Sequence, residues 1–197
     1  MFYVVGLGNP GDKYQKTRHN VGRSALEQLA GELGFSDWKK NNNAIALCTS
    51  GVIVNHSVAL LLPETFMNQS GNTVRYVAEK HQAQISDFIV VHDDIDIPFG
   101  DIKVGRGRGA GGNNGVQSII DTFSSKDFVR VRIGIAPTSF WTGAIKRPEG
   151  GGPLERFVLK PFSPSERKQL PELYQKVRLI LETIIVDGVD VAMNKFN

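Results

Sequence analysis

An α/β fold, one domain with a twisted mixed β-sheet flanked by helices, is what this sequence predicts. Short apolar runs rich in valine and isoleucine alternate along the chain with stretches whose apolar residues recur every three to four positions. The 197 residues suffice for a single domain spanning 1–197, and no internal repeat or low-complexity tract divides them. Glycine- and asparagine-rich turns follow the apolar runs, at the place where open α/β sheets hold their ligands.

The elements follow in order. Residues 2–7 read as a buried strand, after which Val21, Ala25, Leu26, Leu29 and Leu33 repeat at helical spacing until Gly34 supplies a stop. Residues 44–47 and 52–62 read as sheet, paired as a hairpin. Residues 73–81 carry a helical stripe through Val74, Val77 and Ala78, followed by a strand at 88–92 and a short one near 102–104. Val116, Ile119, Ile120 and Phe123 mark the next helix, and residues 128–135 alternate as a strand. Residues 137–153 hold four glycines and three prolines and are expected to be a mobile loop. The last helix is well signposted: Ser163 as cap, Pro164 at the first position and Glu166 three residues after the cap form a capping box. Its apolar face runs through Leu170, Leu173, Val177, Ile180, Leu181 and Ile184, and Pro171 is expected to kink it.

Composition narrows the function classes. The balance of 23 basic to 20 acidic side chains is only +3, but Lys and Arg gather at 103–108, 130–132 and 167–178, a local bias suited to a partner with a few phosphates. Cys48 is the single cysteine, which excludes an internal disulfide and fits a reducing compartment. No apolar run approaches the roughly 18 residues of a membrane span, so the expectation is a cytoplasmic protein. His19, His56, His81 and His92 lack metal-ligand spacing, and neither a metal nor another cofactor is expected.

Three segments carry the chemistry: Gly6-Leu7-Gly8-Asn9-Pro10-Gly11 leading to Thr17-Arg18-His19-Asn20; Thr65-Phe66-Met67-Asn68-Gln69-Ser70-Gly71; and Gly111-Gly112-Asn113-Asn114-Gly115. Each places an asparagine beside glycine, and a carboxamide both donates and accepts hydrogen bonds, so it can hold a polar ester or amide without adding charge. Only the first has a histidine nearby. The acidic run His92-Asp93-Asp94-Ile95-Asp96 offers that histidine a partner. A carboxylate on one imidazole nitrogen sets the tautomer and raises the basicity of the other, which can then take a proton from water. Strand alternation puts Asp94 and Asp96 on the face opposite Asp93, and leaves open which face borders the crevice. Gly6, Gly8 and Gly11 also match the dinucleotide pattern G-x-G-x-x-G. That reading needs a helix to open at the glycines, whereas residues 12–20 are polar and non-periodic. Asparagine near glycine is also commonly a turn or helix cap, and a non-catalytic RNA-binding module on the same fold is the competing reading from another class.

Taken together and in this order, GLGNPG, TRHN, TFMNQSG, HDDIDIPFG, GGNNG and RVRIGI resemble the bacterial peptidyl-tRNA hydrolases over nearly the whole chain. The resemblance implies a monomeric enzyme that cleaves the ester joining a peptide to the 3′ ribose of transfer RNA, with the acceptor stem and 3′ end as partner. It implies His19 as catalytic base and Asp93 as its orienting carboxylate. It further implies Asn9, Asn68 and Asn114 as contacts to the peptide, ester or water, and Tyr14, Phe66 and Met67 as groove lining. Arg132 falls where the family places a basic residue for RNA phosphate, and Lys103 and Arg106 stand close to Gly105, another position where the family often has one. The chain departs from the family pattern in Asn113, where histidine is usual, in Gly105, where a basic residue is frequent, and in the glycine-rich residues 143–152.

Overall fold

The most continuous apolar runs become the middle of one sheet. A computed structural model of the chain describes residues 1–139, 144–148 and 150–197. The strands are β1 (Phe2–Gly6), β2 (Lys39–Asn41), β3 (Ala46–Ile53), β4 (His56–Pro63), β5 (Phe88–Pro98), β6 (Ile102–Arg106) and β7 (Val129–Ala136). The helices are α1 (Val21–Glu32), α2 (Ser70–His81), α3 (Asn114–Phe123), α4 (Gly151–Val158), α5 (Pro164–Asp187) and α6 (Val189–Phe196). All strands join one seven-stranded sheet in the order β2-β3-β4-β1-β5-β7-β6. β1 runs parallel to β4 and β5, and β5 parallel to β7, while β2/β3, β3/β4 and β6/β7 are antiparallel. The sheet is therefore mixed, as expected.

Parallel strands are buried on both faces, which is why Val4, Val5, Val90 and Val91 are all apolar and all fully buried. Alternation sends Val4 and Val91 into a core completed by Leu26 of α1 and Ile180 and Leu181 of α5. Val5 and Val90 face the other core, filled by Val74 of α2 and Ile119 of α3. A close approach seats α1: a Cβ on Gly22 would lie 2.2 Å from the backbone oxygen of Val91, so only glycine lets this helix press onto β5. Among the described residues no helix is long and apolar enough to cross a membrane.

The structure corrects several boundaries. The hairpin turns at Val54 and Asn55, which both have positive φ, and not near Gly51. Gly51 lies within β3 because the Phe35 ring occupies the place of its Cβ, 2.6 Å away. The strand expected at 88–92 continues through the acidic run to Pro98, since the side chains of Asp93 and Asp94 find partners beside the sheet. The last helix begins as predicted, with both capping-box bonds and Pro164 at its first position, and it continues through Pro171. Gly188 then separates it from α6, which was not predicted. Nor was the three-residue β2. The loop expected over 137–153 includes residues 140–143 and 149, outside the described residues, but its end is helical. In α4, Leu154, Phe157 and Val158 at i, i+3 and i+4 pack on the core, and Pro153 sits in the first turn where its missing N–H costs nothing.

Candidate active site

Order along the sheet reverses around β1, which has β4 on one side and β5 on the other, and such a switch point opens a crevice beyond the carboxyl ends of the strands. A cleft of about 690 Å³ lies there, bordered by Asn9, Tyr14, His19, Phe66, Met67, Asn68, Asp93 and Asn114. Three sequence segments about fifty residues apart thus meet at one place. The cleft volume is in the range of small-ligand sites.

Asn9 follows β1 in the loop that precedes α1, and Asn20 holds it. The backbone N–H of Asn9 donates to Asn20 Oδ1 at 2.9 Å, and Asn20 Nδ2 donates to the Asn9 carbonyl at 2.8 Å. Asn9 Oδ1 accepts from the backbone N–H of Met67 at 3.1 Å, which ties the first motif to the second. Among the described residues Asn9 Nδ2 donates to nothing, so its hydrogens are available to a ligand. Met67 is 4% exposed and belongs to the core, whereas Phe66 is 55% exposed, an apolar ring open to solvent at the cleft edge. Asn68 and Asn114 are also exposed, the first in a 3₁₀ turn, Met67–Gln69, and the second opening α3. Tyr14 is half-buried with Lys13 Nζ 4.6 Å from its ring centroid.

His19 sits in the 3₁₀ turn Arg18–Asn20 immediately before α1. Its Nδ1 donates to Asp93 Oδ2 at 2.9 Å, and among the described residues Nε2 has no hydrogen-bond partner. Burial alone would lower the imidazole pKa. The Asp93 charge and hydrogen bond oppose it, and the net effect is a raised value. Asp93 lies on the sheet face shared with α1, and the cleft at the strand ends is bordered by both Asp93 and Asp94, so neither face alone forms it.

The geometry adds two side chains to those expected. Asn113, 7% exposed, caps α3 by accepting from the backbone N–H groups of Gly115 and Val116, while its Nδ2 donates to Asp93 Oδ1 at 2.8 Å. The position that departs from the family pattern therefore holds the second oxygen of the carboxylate that faces His19. His92 is fully buried and donates through Nδ1 to the Asp93 carbonyl at 2.7 Å. Its burial depresses the pKa to about 4, so it stays neutral and shapes the backbone at Asp93. Neither contact was legible in sequence; the signal for Asn113 was its place three residues before a helical stripe that opens at Val116.

The basic residues lie elsewhere. Arg132 donates through Nε to Asp94 Oδ2 at 2.8 Å, Lys103 stands directly opposite it on β6, and Arg106 pairs with Asp127 at 2.6 Å. None of the three borders the cleft, although Asp94 does. Among the described residues no three His, Cys, Asp or Glu side chains come together as a metal-ligand set. Residues 12–17 are irregular, Arg18–Asn20 make a single 3₁₀ turn and α1 opens only at Val21, so the glycine turn presents no α-helix N-terminus to a pyrophosphate.

The family model described as "Peptidyl-tRNA hydrolase" matches residues 3–197. The chain is 40% identical to a peptidyl-tRNA hydrolase of Geotalea daltonii, covering 98% of this chain and 95% of that protein. It is 36% identical to one of Syntrophotalea carbinolica, covering 100% and 97%. Its fold is similar to the crystal structure of peptidyl-tRNA hydrolase from Acinetobacter baumannii, with a TM-score of 0.88 at 31% identity, covering 100% of this chain and 94% of that one.

Proposed function

The chain belongs to the peptidyl-tRNA hydrolase family and hydrolyses peptidyl-tRNA; we propose that it does so by general-base attack of water on the ester at the 3′ ribose, with His19 as the base. The observation that carries the proposal is the His19–Asp93 hydrogen bond at 2.9 Å on the border of a cleft that also gathers Asn9, Asn68 and Asn114. Asp93 holds Nδ1 protonated. Nε2 then takes a proton from water as the oxygen attacks the ester carbonyl, and the same proton passes to the departing ribose oxygen when the C–O bond breaks.

The tetrahedral oxyanion needs donors that are in place beforehand, each worth about 3–4 kcal/mol of barrier. The uncommitted Nδ2 of Asn9 and the carboxamides of Asn68 and Asn114 supply them or grip the adjoining peptide. Tyr14, Phe66 and Met67 line the path of the peptide or terminal adenosine. Lys103, Arg106 and Arg132 meet phosphates of the acceptor stem, away from the reacting atoms. On this reading the enzyme acts as a cytoplasmic monomer.

The test is release of labelled peptide from N-blocked aminoacyl-tRNA, with RNA binding followed in parallel. General-base catalysis is typically worth about 10² to 10⁴ in rate, so His19→Ala should lose that factor while binding RNA as before. Unchanged turnover in His19→Ala would remove His19 from the mechanism. Binding without turnover by the unmodified protein would favour the binding-module reading.

A further inference from the structure

Beside His19, Arg18 is 8% exposed and makes more contacts than a chain anchor requires. Its Nη1 donates to the carbonyls of Pro161 at 2.7 Å and Lys160 at 3.3 Å, and its Nη2 to Glu166 Oε2 at 2.7 Å. The Arg18 backbone N–H also donates to the Lys160 carbonyl, and Thr17 forms an antiparallel bridge with Pro161. The guanidinium carbon lies 4.5 Å from the ring centroid of Phe157 in α4 and 5.3 Å from that of Phe162. Phe162 is a core residue, 4% exposed and 5.5 Å from Phe99, while Glu166 is fixed by the capping box of α5. A continuous path therefore runs from the core through Arg18 to the turn bearing the imidazole. The same guanidinium holds α4, which has no buried residue of its own and whose Leu154, Glu155 and Val158 border the cleft.

Stability is a poor reason for a cation here. A buried ion pair replaced by well-packed apolar groups is often no less stable, and Arg18 Nε is itself buried without a partner among the described residues. What a guanidinium supplies is direction: a rigid planar fork that reaches two carbonyls and a carboxylate while stacking on a ring. We propose that Arg18 is a positioning residue, which fixes the His19 turn against the junction of α4 and α5 and so sets the distance between His19 and Asp93. This rests on the reading of His19 as the base.

The experiment compares Arg18→Gln, Arg18→Lys and Ser163→Ala, the last removing the side-chain oxygen that caps α5 while keeping the Ser163 backbone N–H that holds Glu166 Oε2. Displacing a reacting group by about 1 Å costs on the order of 10²-fold. Arg18→Gln should lower kcat by about that factor with a smaller change in KM, and Arg18→Lys should not restore it, since an ammonium has no fork. The low-field proton resonance of His19 Nδ1 should shift or broaden in both Arg18 variants and persist in Ser163→Ala. A resonance unchanged in Arg18→Gln overturns the positioning role whatever the rate does, and so does full rescue by lysine. A perturbed resonance with kcat unchanged would instead count against His19 as the base, leaving the positioning of the turn intact.

Discussion

Asp93 receives its hydrogen bonds from opposite sides, His19 on Oδ2 and Asn113 on Oδ1, and each partner governs a separate measurable property. The His19 pKa is raised, so the protonated pair adds stability that is fully present below the ordinary imidazole value of about 6.5 and is lost as pH rises through the folded value. Catalysis needs the neutral ring, so kcat/KM should rise with pH to a midpoint above that ordinary value. Asp93→Ala removes both contributions that raise the pKa and leaves burial, so the midpoint should drop below it while the maximal rate falls about 10² to 10⁴-fold. A pH–rate profile of the two proteins checks the direction; an unmoved midpoint would show that His19 is not the group titrating. Asn113→Ala removes a helix cap and a donor to a buried carboxylate, an expected loss of about 2–4 kcal/mol in urea unfolding. Asn113→Ser should restore part of the cap but not the reach to Asp93, recovering stability while turnover stays low.

At the scale of elements, the contact of α1 with β5 decides where the base sits. Gly22 is three residues beyond His19, and an added methyl would meet the Val91 carbonyl head-on. Gly22→Ala gains up to about 1 kcal/mol of helix propensity but is overpacked against rigid backbone, and should be destabilised by about 1–3 kcal/mol net. Turnover should fall further than the folded fraction does, because the turn carrying His19 is lifted from Asp93. Gly31, on the same helix with nothing within 4 Å of an added Cβ, is the control: Gly31→Ala should raise the melting temperature and leave kcat alone. Equal behaviour of the two variants in thermal melts would refute the packing argument.

Over the whole molecule the net charge of +3 is too small to steer RNA, but its distribution is uneven. Lys103 and Arg132 face one another across β6 and β7 at the end of the sheet order, with Arg130 on the same strand. Arg132→Ala should weaken RNA binding and reduce the slope of log affinity against log salt by about one, with little change in kcat at saturation. A slope identical to that of the unmodified protein would mean that Arg132 serves Asp94 alone.

The sequence by itself determined the α/β class, the strongly periodic helices and the capped start of α5, because hydrophobic period and turn chemistry are local properties, whereas the expectation that His19, Asp93 and the three asparagines share one site came from the order of the motifs and the resemblance they carry. It did not reveal α4, whose short stripe is preceded by glycines, or the extension of β5 through Asp93 and Asp94, whose place in a sheet depends on partners from α3, β7 and the His19 turn. The roles of Asn113, His92 and Arg18 were decided only by tertiary structure. Each acts by a hydrogen bond to a group that folding brings close, and in all but the His92 contact that group lies 20 or more residues away in the chain. Residue type states what a side chain can donate or accept; only the packed chain selects the group that receives it.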